Sequence, residues 1–261
     1  MRGFLAIYRK EMGHYFVSPI AYVVVGVFVA LSAFFFDVIL SDVIQQSFAM
    51  QMQGMRFGMP SQIDMPGETL RAFFGILSTL ILFITPMLTM GVYAEERKRG
   101  TMELLMTSPI TEMEIVLGKF LASLTLFAIM LLPTAGYVVF LYAHSDPVPP
   151  WRLVFAAYAG VLLLGGSLLA LGTFISSLTE NQLIAAVLTF AAFLIVWVLD
   201  IGRNASGTVA SVLQYLSVIR HYDDFTRGIV DTSGLIYYVS FIFLFVFLTV
   251  RSVDSMRWRR A

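Results

Sequence analysis

His14, His144 and His221 are the residues best suited by type to proton transfer or metal binding, and they are scattered. None has a second histidine at ligand spacing on a helix. His221 stands near Asp223 and Asp224, yet no nucleophile completes a triad. There is no cysteine, which removes thiol nucleophiles, thiolate metal sites and disulfides. Met50, Met52, Met55, Met59 and Met65 crowd one stretch, and thioethers can hold soft metals. Without regular spacing or a histidine among them they read as adaptable packing surface. No G-x-x-x-x-G-K-[ST] phosphate loop occurs: Gly118-Lys119 is followed by Phe120 and lacks the earlier glycine. The chain's own residues therefore point away from catalysis, metal binding and nucleotide binding.

The most patterned polar segment is EERKRGTMELLMTSPITEMEIVLGK, Glu95 to Lys119. Glu95-Glu96-Arg97-Lys98-Arg99 places basic charge at a helix C-terminus, which the macrodipole favours. Gly100 breaks that helix, and Thr101 can cap a short one through Met102, Glu103, Leu104, Leu105 and Met106. Thr107, Ser108 and Pro109 stop it, and Thr111 with Glu114 forms a capping box for the next helix. The short helix carries Met102, Leu105 and Met106 roughly on one side. Such a strip suits docking into a partner's groove, lying on a membrane surface, or packing on the chain's own helices.

These elements sit in an apolar chain. Of 261 residues, 58% are hydrophobic and only 13% charged, against about a quarter charged in soluble domains. Net charge is zero, which argues against a nucleic-acid partner. Six apolar runs, 20–40, 72–93, 120–143, 153–178, 183–201 and 235–250, read as membrane spans in an all-α integral membrane protein. The last two are near the lower length limit. An even number puts both termini on one side. The amino end, the second loop and the tail hold eleven Lys and Arg, and the opposite side six, so both termini are expected in the cytoplasm. Arg203, Arg220 and Arg227 in the last external loop dissent mildly. Asp37 and Asp200 lie near outer ends and Glu180 at a cytoplasmic turn. No ionisable group marks mid-depth, as a proton- or ion-coupled carrier normally requires.

Residues 1–19 are expected to stay attached as an interfacial helix, with Phe4, Leu5, Tyr8, Met12, Tyr15 and Phe16 on one face and a bend at Ser18-Pro19. Ser41 to Arg71 is expected to be an external loop. Pro86 and Pro133 permit kinks, moving or static, in the second and third spans. Between the last two spans, 202–232, the stretch SVLQYLSVI is too short to cross and too apolar to float, so a re-entrant or interfacial hairpin is expected.

The segment Glu95–Lys119 closely resembles the first cytoplasmic loop of type 2 ABC transporter permeases. YFVSPIAYVVVGVF, HYDDFTRGIVDTSGLIYY and SMRW resemble the gliding-motility subgroup of that family. The resemblance implies one transmembrane domain over 1–261, with 94–119 as coupling loop and 202–232 as outer gate. It implies a non-enzymatic subunit of an exporter in the bacterial inner membrane. Two copies of a separate ATP-binding subunit would bind ATP and Mg, and this chain would hold no cofactor. A second permease copy or similar chain, the lipid bilayer and an auxiliary subunit are the other partners implied. Glu95, Glu96, Arg97 and the run Gly100 to Pro109 would meet the ATPase, Glu95, Glu96 and Arg97 as interface charges or as solvated salt bridges. His221, Asp224, Phe225, Arg227 and Gly228 would stabilise the outer gate, or else form a plain capping cluster. The alternatives are an ATPase-independent secondary transporter or channel, and a scaffold transmitting mechanical work to an extracytoplasmic partner.

Overall fold

The computed structural model describes residues 2–57, 64–201 and 217–258, and every regular element among them is helical. In chain order these are α1 (Arg2–Val17), α2 (Pro19–Phe57), α3 (Met65–Thr89), α4 (Ala94–Arg99), α5 (Thr101–Met106) and α6 (Glu112–Leu131). After a 3₁₀ turn come α7 (Ala135–His144), α8 (Trp151–Leu178), α9 (Gln182–Ile201), α10 (Val218–Thr226) and α11 (Thr232–Trp258). Five helical stretches are long and apolar enough to cross a membrane. α9, with 20 residues, is about 30 Å long and just matches the hydrocarbon thickness. The protein is thus an all-helical, multi-pass membrane protein.

α8 is the spine. In its most apolar window 67% of residues are buried, against 22% in α2 and in α11, whose apolar faces are left for lipid. Its glycines let neighbours in, as small residues do between membrane helices. A Cβ on Gly165 would fall 2.2 Å from the Phe127 ring of α6, and one on Gly172 would fall 2.4 Å from Thr89 Oγ1 of α3. On the other flank, α1 lies along α6.

Proline sets the break in the third span. Pro133 sits in the 3₁₀ turn Leu132–Thr134 between α6 and α7. There Thr134 Oγ1 donates to the Leu131 carbonyl at 2.6 Å.

Two expectations change. Ser41 onward is not a loop: α2 runs on to Phe57, 39 residues or about 58 Å, nearly twice the apolar thickness. The stretch after Ser41 has no Gly or Pro before Gly54, and Gln46 Nε2 donates to Asp42 Oδ2 one turn back at 2.7 Å. Met50 and Met52 stand exposed on this extension, and Met65 packs against the core at the start of α3. Met59 lies outside the described residues.

The face of α1 also differs. Leu5 and Phe16 are 44% and 51% exposed, whereas Ile7 and Glu11 are buried. The inward stripe follows positions 4, 7, 8, 11 and 15, and a carboxylate stands in the middle of it. Ile7 lies against Gly118 of α6, where a Cβ would come within 2.8 Å of Ile7 Cγ2.

Candidate coupling site

α1, the 94–119 segment, the α8–α9 turn and the far end of α11 meet at one end of the bundle. Ser177 and Ser252 hydroxyls lie 2.8 Å apart there, and Arg97 Nη2 pairs with Glu180 Oε1 at 2.9 Å. Both described chain ends thus lie on the same side.

α4 begins only after a break. Met90–Tyr93 form a turn, four residues beyond Pro86, rather than a continuous second span. Glu95 pairs with Arg99 one turn on along α4. Glu96 points inward instead. Its Oε1 receives Lys10 Nζ at 2.6 Å, and its Oε2 lies 3.0 Å from Lys119 Nζ.

Lys119 is 1% exposed. Its ammonium donates to Glu11 Oε1 at 2.9 Å and to the Val92 carbonyl at 3.0 Å, and Glu96 Oε2 stands 3.0 Å away as an ion-pair partner outside hydrogen-bond geometry. The Tyr93 ring lies 5.3 Å away and Tyr15, beside it, hydrogen-bonds Ser123 Oγ at 2.9 Å. Two lysines and two glutamates thus neutralise one another at the junction of α1, α4 and α6. Partial burial pulls the Lys10 ammonium down, but the hydrogen bond and charge of Glu96, with Glu11, outweigh it and hold its pKa above 10.5.

Gly100 turns the chain at φ 70, the left-handed cap expected of it. Thr101 does not cap α5. Gly100 occupies that position, and Thr101 Oγ1 donates back to the Glu96 carbonyl at 3.3 Å. A left-handed residue at the cap leaves the threonine inside the first turn, where its hydroxyl reaches the orphan carbonyls of α4. Ser108 Oγ closes α5 on the Leu105 carbonyl at 2.6 Å, and the Thr111–Glu114 capping box is present.

Met102 is buried at 4% exposure in the chain's own core, and Leu105 packs partly against it. The side chains of Leu104 and Met106 lie outside what is described. Thr101, Glu103, Thr107 and Pro109 are exposed, and Met113 just beyond is 47% exposed. Beside them a cleft of about 390 Å³ opens between α5, the α8–α9 turn and α11, with Met102, Glu103, Ser255 and Met256 on its walls.

At the opposite end, residues 202–216 of the expected hairpin lie outside the described residues. α10 follows and packs on α8. Phe225 is fully buried where Gly160 leaves room, and Tyr222 OH donates to the Phe74 carbonyl at 2.8 Å. His221 stacks on Tyr237 at 4.2 Å, and its Nδ1 bonds the Ser217 carbonyl at 3.0 Å. Gly228, at φ 81, ends the helix, and Ile229 N–H returns to the Asp224 carbonyl at 3.0 Å. The Arg227 side chain is exposed and Asp224 is half-buried.

The model of the ABC-2 family transporter proteins matches residues 5–253, nearly the whole chain. The chain belongs to the ABC-2 transporter family. Two curated relatives carry the name probable multidrug ABC transporter permease YbhR, from Escherichia coli strain K12 and from Escherichia coli O157:H7. Each is 28% identical over 170 residues, covering 59% of this chain and 43% of the relative. The matched stretch therefore spans less than half the length of those relatives.

In this ABC-2 protein the structure brings Glu96 and Arg97 into contacts across the bundle, while Glu95 pairs only within α4. Lys10, Glu11, Lys119 and Ser176 are the members that sequence reasoning passed over. Glu11 was findable, because it shares a face with Ile7 and Tyr15 at helical spacing. Tyr222 and Tyr238, the latter donating to the Val218 carbonyl at 2.6 Å, were likewise missed at the opposite end.

Proposed function

We propose that this chain is the membrane-spanning half of an ATP-driven exporter in a bacterial inner membrane, with both ends cytoplasmic. A separate ATP-binding subunit, present in two copies and holding ATP and Mg, docks on Thr101–Pro109. A second copy of this chain, or a similar one, completes the path. The observation that supports this best is the double fastening of α4. Lys119 and Lys10 tie it to α6 and α1 through Glu96, and Arg97 ties it to the α8–α9 turn. A push on α5 passes through Gly100 into a helix joined to α1, α6 and the α8–α9 turn.

In this reading the exposed residues Thr101, Glu103, Thr107 and Pro109 meet the partner, while Met102 and Leu105 anchor α5 to the body. The multidrug names of the relatives and the Leu-, Phe- and Val-rich spans suit an amphipathic substrate better than an ion.

The chain has no cysteine, so a single Thr107→Cys gives a unique reporter. Disulfide or bifunctional cross-linking to the co-expressed ATP-binding subunit is expected, and it should respond to ATP. A partner that co-purifies while Thr107→Cys and Thr101→Cys stay uncross-linked would overturn the docking site.

A further inference from the structure

The second span does not run straight into the charged segment, and the interruption is held from outside. α3 ends at Thr89 and α4 starts at Ala94. In a continuous helix the amides of Tyr93 and Ala94 would donate to carbonyls four residues back, at Thr89 and Met90. Here both donate to one side-chain oxygen of another helix, Ser176 Oγ of α8, at 3.2 and 3.3 Å. The same hydroxyl donates to the Met90 carbonyl at 3.0 Å. One serine thus fills the gap at both ends.

Ser176 is fully buried, so bulk water cannot take its place. Its neighbours continue the fastening. Gly172 admits Thr89 at the last turn of α3, and the Ser177 carbonyl receives Arg97 Nη1 at 2.8 Å. Within the break the Val92 carbonyl is taken by Lys119, and the Tyr93 carbonyl receives the Arg97 amide at 2.9 Å. Three positions of α8 therefore track the end of α3, the break and the middle of α4.

We infer that Ser176 is a positioning residue that fixes this break as a hinge and joins α4 to α8, so that displacement of α4 is delivered into the central helix. Without the hydroxyl the turn would either re-wind into a continuous helix or open, and in both cases α4 would move without α8. The inference rests on the proposed role of α4–α5 as the element an ATP-binding subunit displaces.

Two measurements test it on the full chain in lipid nanodiscs. The first is hydrogen exchange on the chain alone. Ser176→Ala should speed exchange of the Tyr93 and Ala94 amides at least tenfold while the start of α6 is unchanged. Ser176→Thr, which keeps the oxygen, should restore slow exchange. Unchanged rates in Ser176→Ala would overturn the hinge. Should that variant fail to fold, Ser176→Cys offers a weaker donor and acceptor of similar size. It should show an intermediate acceleration, and wild-type rates there would overturn the hinge equally.

The second measurement uses the complex with the ATP-binding subunit and spin labels at Lys98→Cys and Leu183→Cys, both exposed positions. With Ser176 present the distance should stay narrow and unchanged by ATP, since α4 and the α8–α9 turn move together. With Ser176→Ala it should broaden or shift on ATP binding, and Ser176→Thr should reverse this. A distance indifferent to the substitution would overturn the joining role. If the unaltered chain never binds the ATP-binding subunit, the proposed function falls, and the exchange measurement still decides the hinge.

Discussion

Lys119 Nζ and Glu11 Oε1 stand 2.9 Å apart, although 108 residues separate them in the chain. The contact closes α1 onto the third span at the point where the 94–119 segment leaves the second. Both groups are almost fully withdrawn from solvent, at side-chain exposures of 1% and 8%. A buried pair is weak evidence for net stability, but removing one partner strands the other in a low dielectric.

Lys119→Met should therefore cost about 3–5 kcal/mol. It strands Glu11 and half of Glu96, and only Lys10, 54% exposed, remains nearby. Lys119→Arg should not restore the loss, because a planar guanidinium cannot take the place of one nitrogen set among three oxygens, two hydrogen-bonded and one ion-paired. Adding Glu11→Gln to Lys119→Met should recover part of it. Thermal unfolding in detergent, followed for the unaltered chain and the three variants, reads this out. Equal midpoints for the unaltered chain and Lys119→Met would contradict the burial.

Lys10 gives a pH signature. Its folded pKa is raised above 10.5 because Glu96 and Glu11 outweigh the cost of partial burial. A raised folded value means the stabilisation is fully present below the unfolded pKa and is lost as pH climbs through the folded one. The stability difference between the unaltered chain and Lys10→Met should thus be flat from about pH 6 to 9 and narrow only above about 10.5. A difference that changes between pH 6 and 8 would assign the contact to another group.

Much of this architecture was legible. The Thr111–Glu114 capping box, the Gly100 break and the Pro133 interruption depend on residues within one or two turns, so local chemistry shows them. The stop at Ser41 failed for a related reason. Hydropathy marks where lipid ends and says nothing about where a helix ends, and no breaker precedes Gly54. Lys119 and Ser176 were opaque because their meaning is tertiary. A lysine at the start of a span looks like a topological anchor until α1 and α4 close over it. A serine in an apolar helix usually bonds its own preceding turn, as Ser177 Oγ does with the Phe174 carbonyl at 2.6 Å. Ser176 reaches across to α3 only because Gly172 brings that helix near.

At the end of the bundle opposite α5, Gly228 carries a backbone requirement. Its φ of 81 is the left-handed region, and a Cβ there would come within 3.1 Å of the Leu153 Cα. Gly228→Ala should cost about 1–2 kcal/mol from the backbone alone, with the contact on α8 adding to it. The effect should be local: faster hydrogen exchange across 218–229 and unchanged exchange in α6. Uniform acceleration along the chain would show that α10 is part of one cooperative unit with the end that carries α1, α4 and α5.

Arg97 separates two kinds of contact in one side chain. Nη1 reaches the Ser177 carbonyl at 2.8 Å and Nη2 reaches Glu180 at 2.9 Å. The Glu180 carboxylate is 60% exposed, and exposed pairs contribute little, about 0–1 kcal/mol. The carbonyl contact is partly buried and charge-assisted, a class with contributions of roughly 1.5–3 kcal/mol. Glu180→Gln should consequently change stability slightly, and less still at high salt. Arg97→Lys, which keeps the charge but offers one nitrogen in place of a fork, should lose most of the carbonyl contact. Thermal unfolding of the two variants at low and high salt gives the comparison. If Glu180→Gln proves the more damaging, the Arg97 link to α8 runs through the turn and not through the helix backbone.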